Sequence, residues 1–516
     1  EYNGGEYEGA LQKFQEVADR AELAQRRNEI QLRNEAFNDM VLVWQKLEMV
    51  EEAHEYYQRK VNRSEARRLF ARLAHKYFSD GDHALAIRSY RLLIDGDAND
   101  PLNPGYQKNI VESYEGLRER DKVLAEMRVL VDNYKPGSAW AIANKDNENA
   151  LRSAYDITEE AMRNLVTDYH REAQRTKEVQ TYRLAAQIYK DYLDSFSDSE
   201  HAYNLRFYYA EILWTLEEWE GAAEQYELVY EADAEGSYAT TAAYNALLAY
   251  EKLIAIEKGE LQRSQLRDDQ KVDEDKDRGR VQQSKRVTDT SIAKDAQAEE
   301  ISHWEQKMIA ACDRYAEIAA ADARLAHEEI LVRYKAAFIY YDRKHFTEAA
   351  VRFGDIILKW PEDAQAKRAA DLSLNILEIQ EEWYELARLS RAFYENKALA
   401  KPGDKWTNDL RRIMEGAQYK YIDLVVLQKE GRKDEVAQMF RSFAEEFPKS
   451  EFADRALLYA MRIQDEFKRL DEVIAIGEQI MAQYPETEFR PEVLTRLASS
   501  YQDVARDADE PTGGDV

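Results

Sequence analysis

The chain has 516 residues, and 72 Lys and Arg against 100 Asp and Glu give it a formal net charge of −28. A surface this acidic repels phosphate backbones, so nucleic-acid binding is not expected. Gly (19) and Pro (9) fall below usual frequencies, which are about 7% and 5%, and this argues against collagen-like and many-turned β folds. No apolar run is long enough to cross a bilayer as a helix, so no direct membrane insertion is expected.

The first predicted element is a helix near the start of the chain. Gly5, Ala10, Phe14 and Val17 have the spacing of the second helix of a helix pair whose first helix is missing. The chain therefore opens in mid-repeat, as we expect of a processed protein or a fragment.

An internal repeat follows in three clear copies. Each copy begins with a small residue. Counted from it, an aromatic or apolar residue follows after three positions, a turn residue after seven, Ala after twelve and an aromatic residue after sixteen. The copies are Ala74, Tyr77, Gly81, Ala86, Tyr90 and Leu93; Ala210, Leu213, Glu217, Ala222, Tyr226 and Val229; and Ala337, Tyr340, Lys344, Ala349, Phe353 and Ile356. Apolar residues at i, i+3, i+4 and i+7 predict one buried stripe per helix. We expect stacked antiparallel helix pairs without a sheet, with the small residues at Ala86, Ala222 and Ala349 allowing close helix approach.

Weaker copies and recurring connectors fill much of the rest. The weaker copies contain Gly431, Val436, Phe440, Phe443 and Pro448, and then Val473, Ile480 and Pro485. The connectors are residues 196–199, 360–363, 447–450 and 484–487. In each connector an aromatic residue ends a helix, Pro (Ser in the first) stops it, and a Ser, Thr or Asp is available to cap the next helix.

A charged stretch divides the repeats into two groups. No aromatic residue occurs between Tyr250 and Trp304, and residues 258–298 are mostly charged or Gln, which cannot supply a core. The sequence predicts an N-terminal solenoid at 1–250, a charged insertion or linker at 251–300, a C-terminal solenoid at 301–500 and an acidic, solvated tail at 501–516.

The three copies resemble the tetratricopeptide-repeat (TPR) superfamily. The resemblance implies an all-α fold, a right-handed α–α superhelix, and a non-enzymatic scaffold for protein–protein interaction. The connectors look like those of degenerate repeats in bacterial cell-envelope scaffolds, such as outer-membrane assembly and division-coordinating periplasmic proteins. Long acidic chains of this kind are also similar to scaffold components of gliding-motility machinery in predatory soil bacteria. A periplasmic or cell-envelope location is implied, with a cytoplasmic one as the alternative.

Motifs for metal or cofactor chemistry are incomplete. The stretch 327–331 begins like a zinc-protease helix, but Leu331 stands where the second His is needed. Residues 95–99 resemble the opening of a calcium loop, but Asp100 occupies the Gly position and Tyr106 the position of the bidentate Glu. Neither a phosphate-binding Gly-Lys-Ser/Thr motif nor a partner for the single cysteine, Cys312, is evident. We expect no catalytic residue, metal or cofactor, and we expect Cys312 to be a buried packing residue.

The predicted binding surface is the concave face formed by the first helix of each pair. Nine positions should face it, and six are aromatic: Phe78, Phe207, Trp214, Tyr334, Phe338 and Tyr341. The other three are Ala71, His75 and Glu211. The peptide-carboxylate clamp of the resembled family requires Lys, Asn and Arg, which His75, Glu211 and Phe338 do not provide. The sequence thus predicts an aromatic-lined groove for an extended peptide or an apolar helix.

Two alternatives remain open at this point. The six aromatic residues could pack neighbouring helices together instead of binding a partner. The chain could then be a load-bearing spacer of an envelope or motility machine, whose acidic surface prevents self-association. Burial of Phe207, Trp214, Tyr334 and Phe338 distinguishes the groove from the packing role.

Overall fold

The computed structural model describes residues 6–24, 27–135, 137–272, 278, 296–428 and 433–509. These residues form α-helices, a 3₁₀ turn and a π-helix, with one isolated β-bridge and no β-sheet. They divide into two compact units, of which unit 1 is Glu1–Tyr238 with Arg263–Lys276, and unit 2 is Ala239–Gln262 with Asp277–Val516. The predicted all-α fold is confirmed.

Unit 1 is a series of helices, most of which pack against their neighbours in the chain. They are α1 (Tyr7–Ala24), α2 (Arg27–Leu47), α3 (Val50–Lys60), α4 (Arg63–Asp80), α5 (His83–Gly96), α6 (Asn103–Gly116), α7 (Arg120–Tyr134), α8 (Ala139–Ala143), α9 (Glu148–Thr176), α10 (Val179–Ser195), α11 (Ala202–Thr215) and α12 (Trp219–Ala232).

Unit 2 continues the same arrangement. Its helices are α13 (Ala239–Glu257), α14 (His303–Ala321), α15 (Ala326–Asp342), α16 (Phe346–Lys359), α17 (Ala364–Ile379), α18 (Trp383–Glu395), α19 (Lys405–Lys420), α20 (Lys433–Glu446), α21 (Ala453–Glu466), α22 (Leu470–Gln483) and α23 (Arg490–Asp509). A 3₁₀ turn (Ala323–Leu325) precedes α15, and a π-helix (Tyr421–Val426) extends α19.

One turn recurs between the two helices of a pair. Its central residue has positive φ, and the next residue donates its N–H to the carbonyl five positions back, as Glu218 does to Leu213 at 2.9 Å and His345 does to Tyr340 at 2.8 Å. This is the Schellman pattern of a helix end. The turn residues are Glu48, Gly81, Arg118, Glu217, Lys344, Glu381 and Lys468. Gly81, Glu217 and Lys344 stand at the turn position of the three clear copies, and Lys468 precedes the weaker copy that contains Val473 and Ile480. Glu48, Arg118 and Glu381 mark pairs that the sequence pattern did not reveal.

The small residues predicted at close helix contacts are fully buried. Ala86, Ala222 and Ala349 have no exposed surface, and the aromatic residue four positions after each is also in the core. No single pair could bury these stripes alone, so the pairs are stabilised by stacking on their neighbours. The TPR-like packing expected from the repeat is confirmed.

The helix predicted at the start of the chain is present as α1, which packs on α2. Its register differs in one place, because Val17 is exposed and Ala18 is buried instead. Gly5 and Gly431 lie outside the described residues. At the other end, α23 continues through residue 501 to Asp509, and residues 510–516 of the predicted tail lie outside the described residues.

The four connectors share one turn. In each, the fourth residue donates its N–H to the carbonyl of the aromatic residue, at 2.9–3.1 Å. Asp363 caps α17 as expected, accepting from the N–H of Gln365 at 2.7 Å. The capping prediction is wrong for Ser199, Ser450 and Thr487, which accept from the residue two positions later and so stabilise the turn before the helix begins.

Part of the charged stretch is ordered and belongs to unit 1. We call residues 263–272 the strap. Val179 donates its N–H to the Gln270 carbonyl at 2.9 Å, Val272 donates to the Lys177 carbonyl at 2.8 Å, and the Val272 side chain is buried. Residues 273–277 and 279–295 lie outside the described residues, and the four-part domain division stays a prediction.

The recurring turn gives a clean test of backbone strain. Gly81 has a φ of 86°, and a Cβ there would meet nothing within 4 Å. Gly81→Ala should therefore cost about 1–2 kcal/mol purely from the left-handed conformation. Gly105→Ala is the control, because Gly105 also has open space but lies in α6, where Ala should stabilise by up to about 1 kcal/mol. Chemical denaturation followed by circular dichroism measures both, and equal effects of the two variants would contradict the assignment.

Candidate functional site

A sizeable cavity lies in unit 1, along one face of α4. Asn62 caps this helix by accepting from the Glu65 N–H at 3.0 Å, and the αL residue Gly81 ends it. One stripe of α4 is apolar and buried. The opposite stripe carries basic residues at helical spacing, so the same helix anchors itself in the core and presents cations to the cavity.

This cavity, which we call the cationic groove, has a volume of about 740 Å³. Residues of α2, α4 and α6 and of the connector before α6 line it. They are Asn38, Asp39, Val41 and Leu42; Ser64, Arg67, Arg68, Ala71, Arg72, His75 and Lys76; and Asp100, Leu102 and Tyr106. The volume is within the range of about 300–1,000 Å³ that is usual for binding pockets.

Arg67 is the most enclosed cation of the cationic groove. Its Nε donates to Asp100 Oδ2 at 2.6 Å, and its Nη1 donates to the Leu93 carbonyl at 2.7 Å. Its Nη2 is buried and has no hydrogen-bond partner. A buried donor without an acceptor typically costs about 1–3 kcal/mol.

The other three cations are more accessible. Arg72 Nη1 donates to Asn38 Oδ1, which fixes the guanidinium across the gap between α2 and α4. Arg68 is largely exposed and only loosely paired with Glu65, at 3.9 Å. Lys76 pairs with Asp80 at 2.7 Å at the end of the helix. Planar guanidinium groups held in this way suit carboxylates, which they bind through two parallel hydrogen bonds.

The charge of the cationic groove is opposite to that of the chain. Four cationic side chains line it against two carboxylates, and one of those, Asp100, is already paired with Arg67. The whole chain carries −28. The lining of the groove therefore carries a local excess of positive charge on a protein whose net charge is negative.

The six predicted groove aromatics lie elsewhere. Phe207, Trp214, Tyr334 and Tyr341 are only 3–8% exposed. Phe207 stacks on Tyr238 with ring centroids 4.2 Å apart, and Trp214 packs against Trp219 at 4.8 Å. The expectation that these four side chains are exposed is corrected, because each one fills space between helices. A role for them in partner binding remains untested.

Two of the six aromatic side chains are partly exposed to solvent. Phe78 is half-buried and contacts the rings of His75 and Tyr90. Phe338 is half-buried beside Tyr334 and Tyr341. Partial exposure at single positions does not make a continuous aromatic surface within either unit.

The cations of the cationic groove are not among the nine positions considered from the sequence. Sequence reasoning considered the position one residue after the small residue, which gave His75, but the cations are two residues before and after it, at Arg72 and Lys76. Long side chains reach the groove from these flanking positions. The signal was available in the sequence, because residues 63–76 contain a single acidic residue, Glu65, among six basic ones when His75 is included.

Residues of the incomplete zinc-protease motif and the single cysteine are buried in the structure. Glu329 is buried and accepts from Arg333 at 2.9 Å and from Lys359 at 2.7 Å. Cys312 is buried, and burial raises the pKa of its thiol. In the part of the chain that the structure describes, no three His, Cys, Asp or Glu side chains form a group that could hold a metal ion. Nor does any helix there have the length and apolar character that a membrane span requires.

No protein-family model and no curated protein sequence matches the chain. Solved structures do. A tetratricopeptide repeat protein from Parabacteroides merdae is 10% identical, with a TM-score of 0.23, over 65% of this chain and 99% of that one. The TPR domain of P58(IPK) is 13% identical, with a TM-score of 0.22, over 78% of this chain and 98% of that domain.

Yeast Tom70 is 12% identical, with a TM-score of 0.18, over 92% of this chain and 96% of that one. Because all these TM-scores are low, the fold assignment rests on the stacked helix pairs and their shared turn. The chain has an all-α, TPR-like fold.

Proposed function

We propose that this chain is a protein-interaction scaffold whose cationic groove binds an acidic segment of a partner protein. The observation that carries the proposal is the cluster of Arg67, Arg68, Arg72 and Lys76 in a cavity of about 740 Å³, on a chain with a net charge of −28. An extended peptide fits the long face of α4, where successive side chains of the groove are one helical turn apart. Carboxylates of the peptide would pair with Arg68 and Arg72 and reach towards the unpartnered Nη2 of Arg67.

The test is binding of a labelled peptide made of Asp, Glu and Ala, measured by fluorescence anisotropy. The Arg68→Glu/Arg72→Glu double variant should weaken binding at least about tenfold, because each charge-assisted hydrogen bond contributes about 1.5–3 kcal/mol. The control is Arg171→Glu/Arg175→Glu, which makes the same charge change at the same i, i+4 spacing on exposed residues of α9.

Equal loss in the two double variants would show that the peptide senses only the overall charge. A peptide with Asn and Gln in place of Asp and Glu should bind weakly, and added salt should weaken binding of the acidic peptide. No binding of the acidic peptide to the wild-type chain would favour the load-bearing spacer instead.

The proposal extends to location. The aromatic-Pro-x-Ser/Thr connectors favour a component of a bacterial cell-envelope assembly. Fractionation of the native host with an antibody against the chain tests this, and a purely cytoplasmic signal would remove the envelope role while leaving the binding proposal intact.

A further inference from the structure

A second groove in unit 1 has the opposite character to the cationic groove. It lies between α7 and α10, which both pack on α9, and it has a volume of about 240 Å³. We call it the acidic-rimmed groove. Its floor is apolar and consists chiefly of Leu124, Met127, Met162, Leu165, Leu184 and Ile188.

The acidic-rimmed groove occurs where the repeat is irregular. The short helix α8 and its flanking turns separate α7 from α9, and α9 is 29 residues long against 17 for α10. Leu124 on α7 and Leu184 on α10 are left half-buried rather than covered. Half-covered leucines above a methionine floor form a surface that can adapt to an incoming apolar side chain.

The rim carries three carboxylates whose existing partners are weak or displaceable. Asp191 accepts from Gln187 at 2.7 Å, and Arg128, which is 68% exposed, reaches it only at 3.9 Å. Asp132 pairs with Lys135, and both side chains are exposed. Among the described residues Asp194 has no ion pair within 4.0 Å. Exposed pairs of this kind contribute little, about 0–1 kcal/mol, so a cation from outside can replace them at low cost.

The dimensions favour a helix over a small molecule. The volume is below the range of about 300–1,000 Å³ typical of small-molecule pockets, whereas a trough between two helices is a common site for an amphipathic helix. The rim carries three carboxylates, Asp132, Asp191 and Asp194, against one cation, Arg128. Its net negative charge favours basic flanks on such a helix.

We propose that the acidic-rimmed groove docks the apolar face of a basic amphipathic helix from a partner protein. Apolar side chains of that helix rest on the floor between Leu124 and Leu184. Its Lys or Arg side chains pair with Asp191 and Asp194. This goes beyond the acidic segment proposed for the cationic groove, and the scaffold would then hold two partner segments of opposite charge in one unit.

The test uses a labelled synthetic amphipathic helix made of Leu and Lys. Asp191→Lys/Asp194→Lys should weaken its binding at least about tenfold, and Leu184→Glu should do the same by placing a charge on the floor. The matched control is Glu220→Lys/Glu224→Lys, an equal charge change on exposed residues of α12, which should alter binding less than about twofold. The milder Leu124→Ser covers the case in which Leu184→Glu does not fold.

Two results would overturn the proposal. One is an equal loss of binding in the α12 control, and the other is equally tight binding of a Ser/Lys peptide, which carries the charge but no apolar face. Binding of the acidic peptide to the cationic groove is measured in the same variants. That binding should persist, so the two proposals succeed or fail separately.

Discussion

Trp214→Ala is expected to destabilise unit 1 by about 3–5 kcal/mol, the usual cost of emptying a buried aromatic site. The Trp214 side chain is 8% exposed and packs against the ring of Trp219, so its removal leaves a cavity between α11 and α12. Urea unfolding followed by tryptophan fluorescence and circular dichroism measures the loss.

Ile142→Ala is the control for Trp214→Ala. Ile142 is 62% exposed on α8, and a substitution there should change the free energy of unfolding by no more than about 0.5 kcal/mol. Phe338→Ala should lie between the two, because Phe338 is half-buried. If Trp214→Ala had the same free energy of unfolding as the wild-type chain but no longer bound a partner, that result would support the aromatic groove expected from the sequence.

Arg343→Leu is expected to cost about 3–5 kcal/mol in unit 2 at neutral pH, because it leaves a buried carboxylate without its main partner. Glu305 is 1% exposed. Its Oε2 accepts from Arg343 Nε at 2.7 Å, and its Oε1 accepts from Arg343 Nη2 at 2.9 Å. The control is Arg388→Leu, whose ion pair with Glu385 is exposed and should contribute no more than about 1 kcal/mol.

The effect of Arg343→Leu should depend on pH. Burial raises the pKa of Glu305, but the hydrogen bonds and charge of Arg343, together with the Ser302 N–H and the charge of Lys258, outweigh it and hold the pKa below the ordinary value of 4.5. A carboxyl group whose pKa is lower in the folded state than in the unfolded state stabilises the fold. The stabilisation is complete at pH values above the unfolded-state pKa, and it is lost as the pH falls through the folded-state pKa. In the variant without Arg343, the effect of burial on the pKa of Glu305 dominates, so the carboxylate should protonate more readily. The difference in stability between the variant and wild type should therefore shrink on acidification.

Thermal melts of wild type and Arg343→Leu from neutral pH to about pH 4 measure this change. Glu305→Gln serves as the second control, because Gln can keep the capping-box bond to the Ser302 N–H while removing the charge. A melting-temperature difference between Arg343→Leu and wild type that does not vary with pH would contradict the assigned role of the pair.

The repeat could be predicted from the sequence wherever its residue identities are conventional. The pairs around Gly81, Glu217 and Lys344 were found because small and aromatic residues stand at their expected spacings. The pairs around Arg118 and Glu381 were not found. Val123 and Leu386 stand where the clear copies have Ala, and Met127 and Ser390 stand where those copies have an aromatic residue. The turns of these two pairs are fixed by the backbone hydrogen bonds and by the packing of the flanking helices.

The candidate site was predictable only in part. Ala71 and His75, which the register assigns to the predicted concave face, line a cavity. The register alone does not decide whether Phe207 or Tyr334 faces solvent or the next helix, because both directions lie within one helical turn. The basic run on α4 was visible in the sequence. Its enclosure by α2 and α6, which leaves Arg67 Nη2 without a partner, depends on how three helices stack.

The strap has a consequence for the modularity of the chain. The polypeptide leaves unit 1 at Tyr238, contributes α13 to unit 2, and returns to unit 1 to pair with Lys177 and Val179 before it enters unit 2 again. A fragment ending at residue 250 would truncate α13, which packs on α14, and would strip the strap from α10. A cut or a domain exchange at that point would therefore remove residues from both units at once, which a boundary drawn by chain position alone does not show.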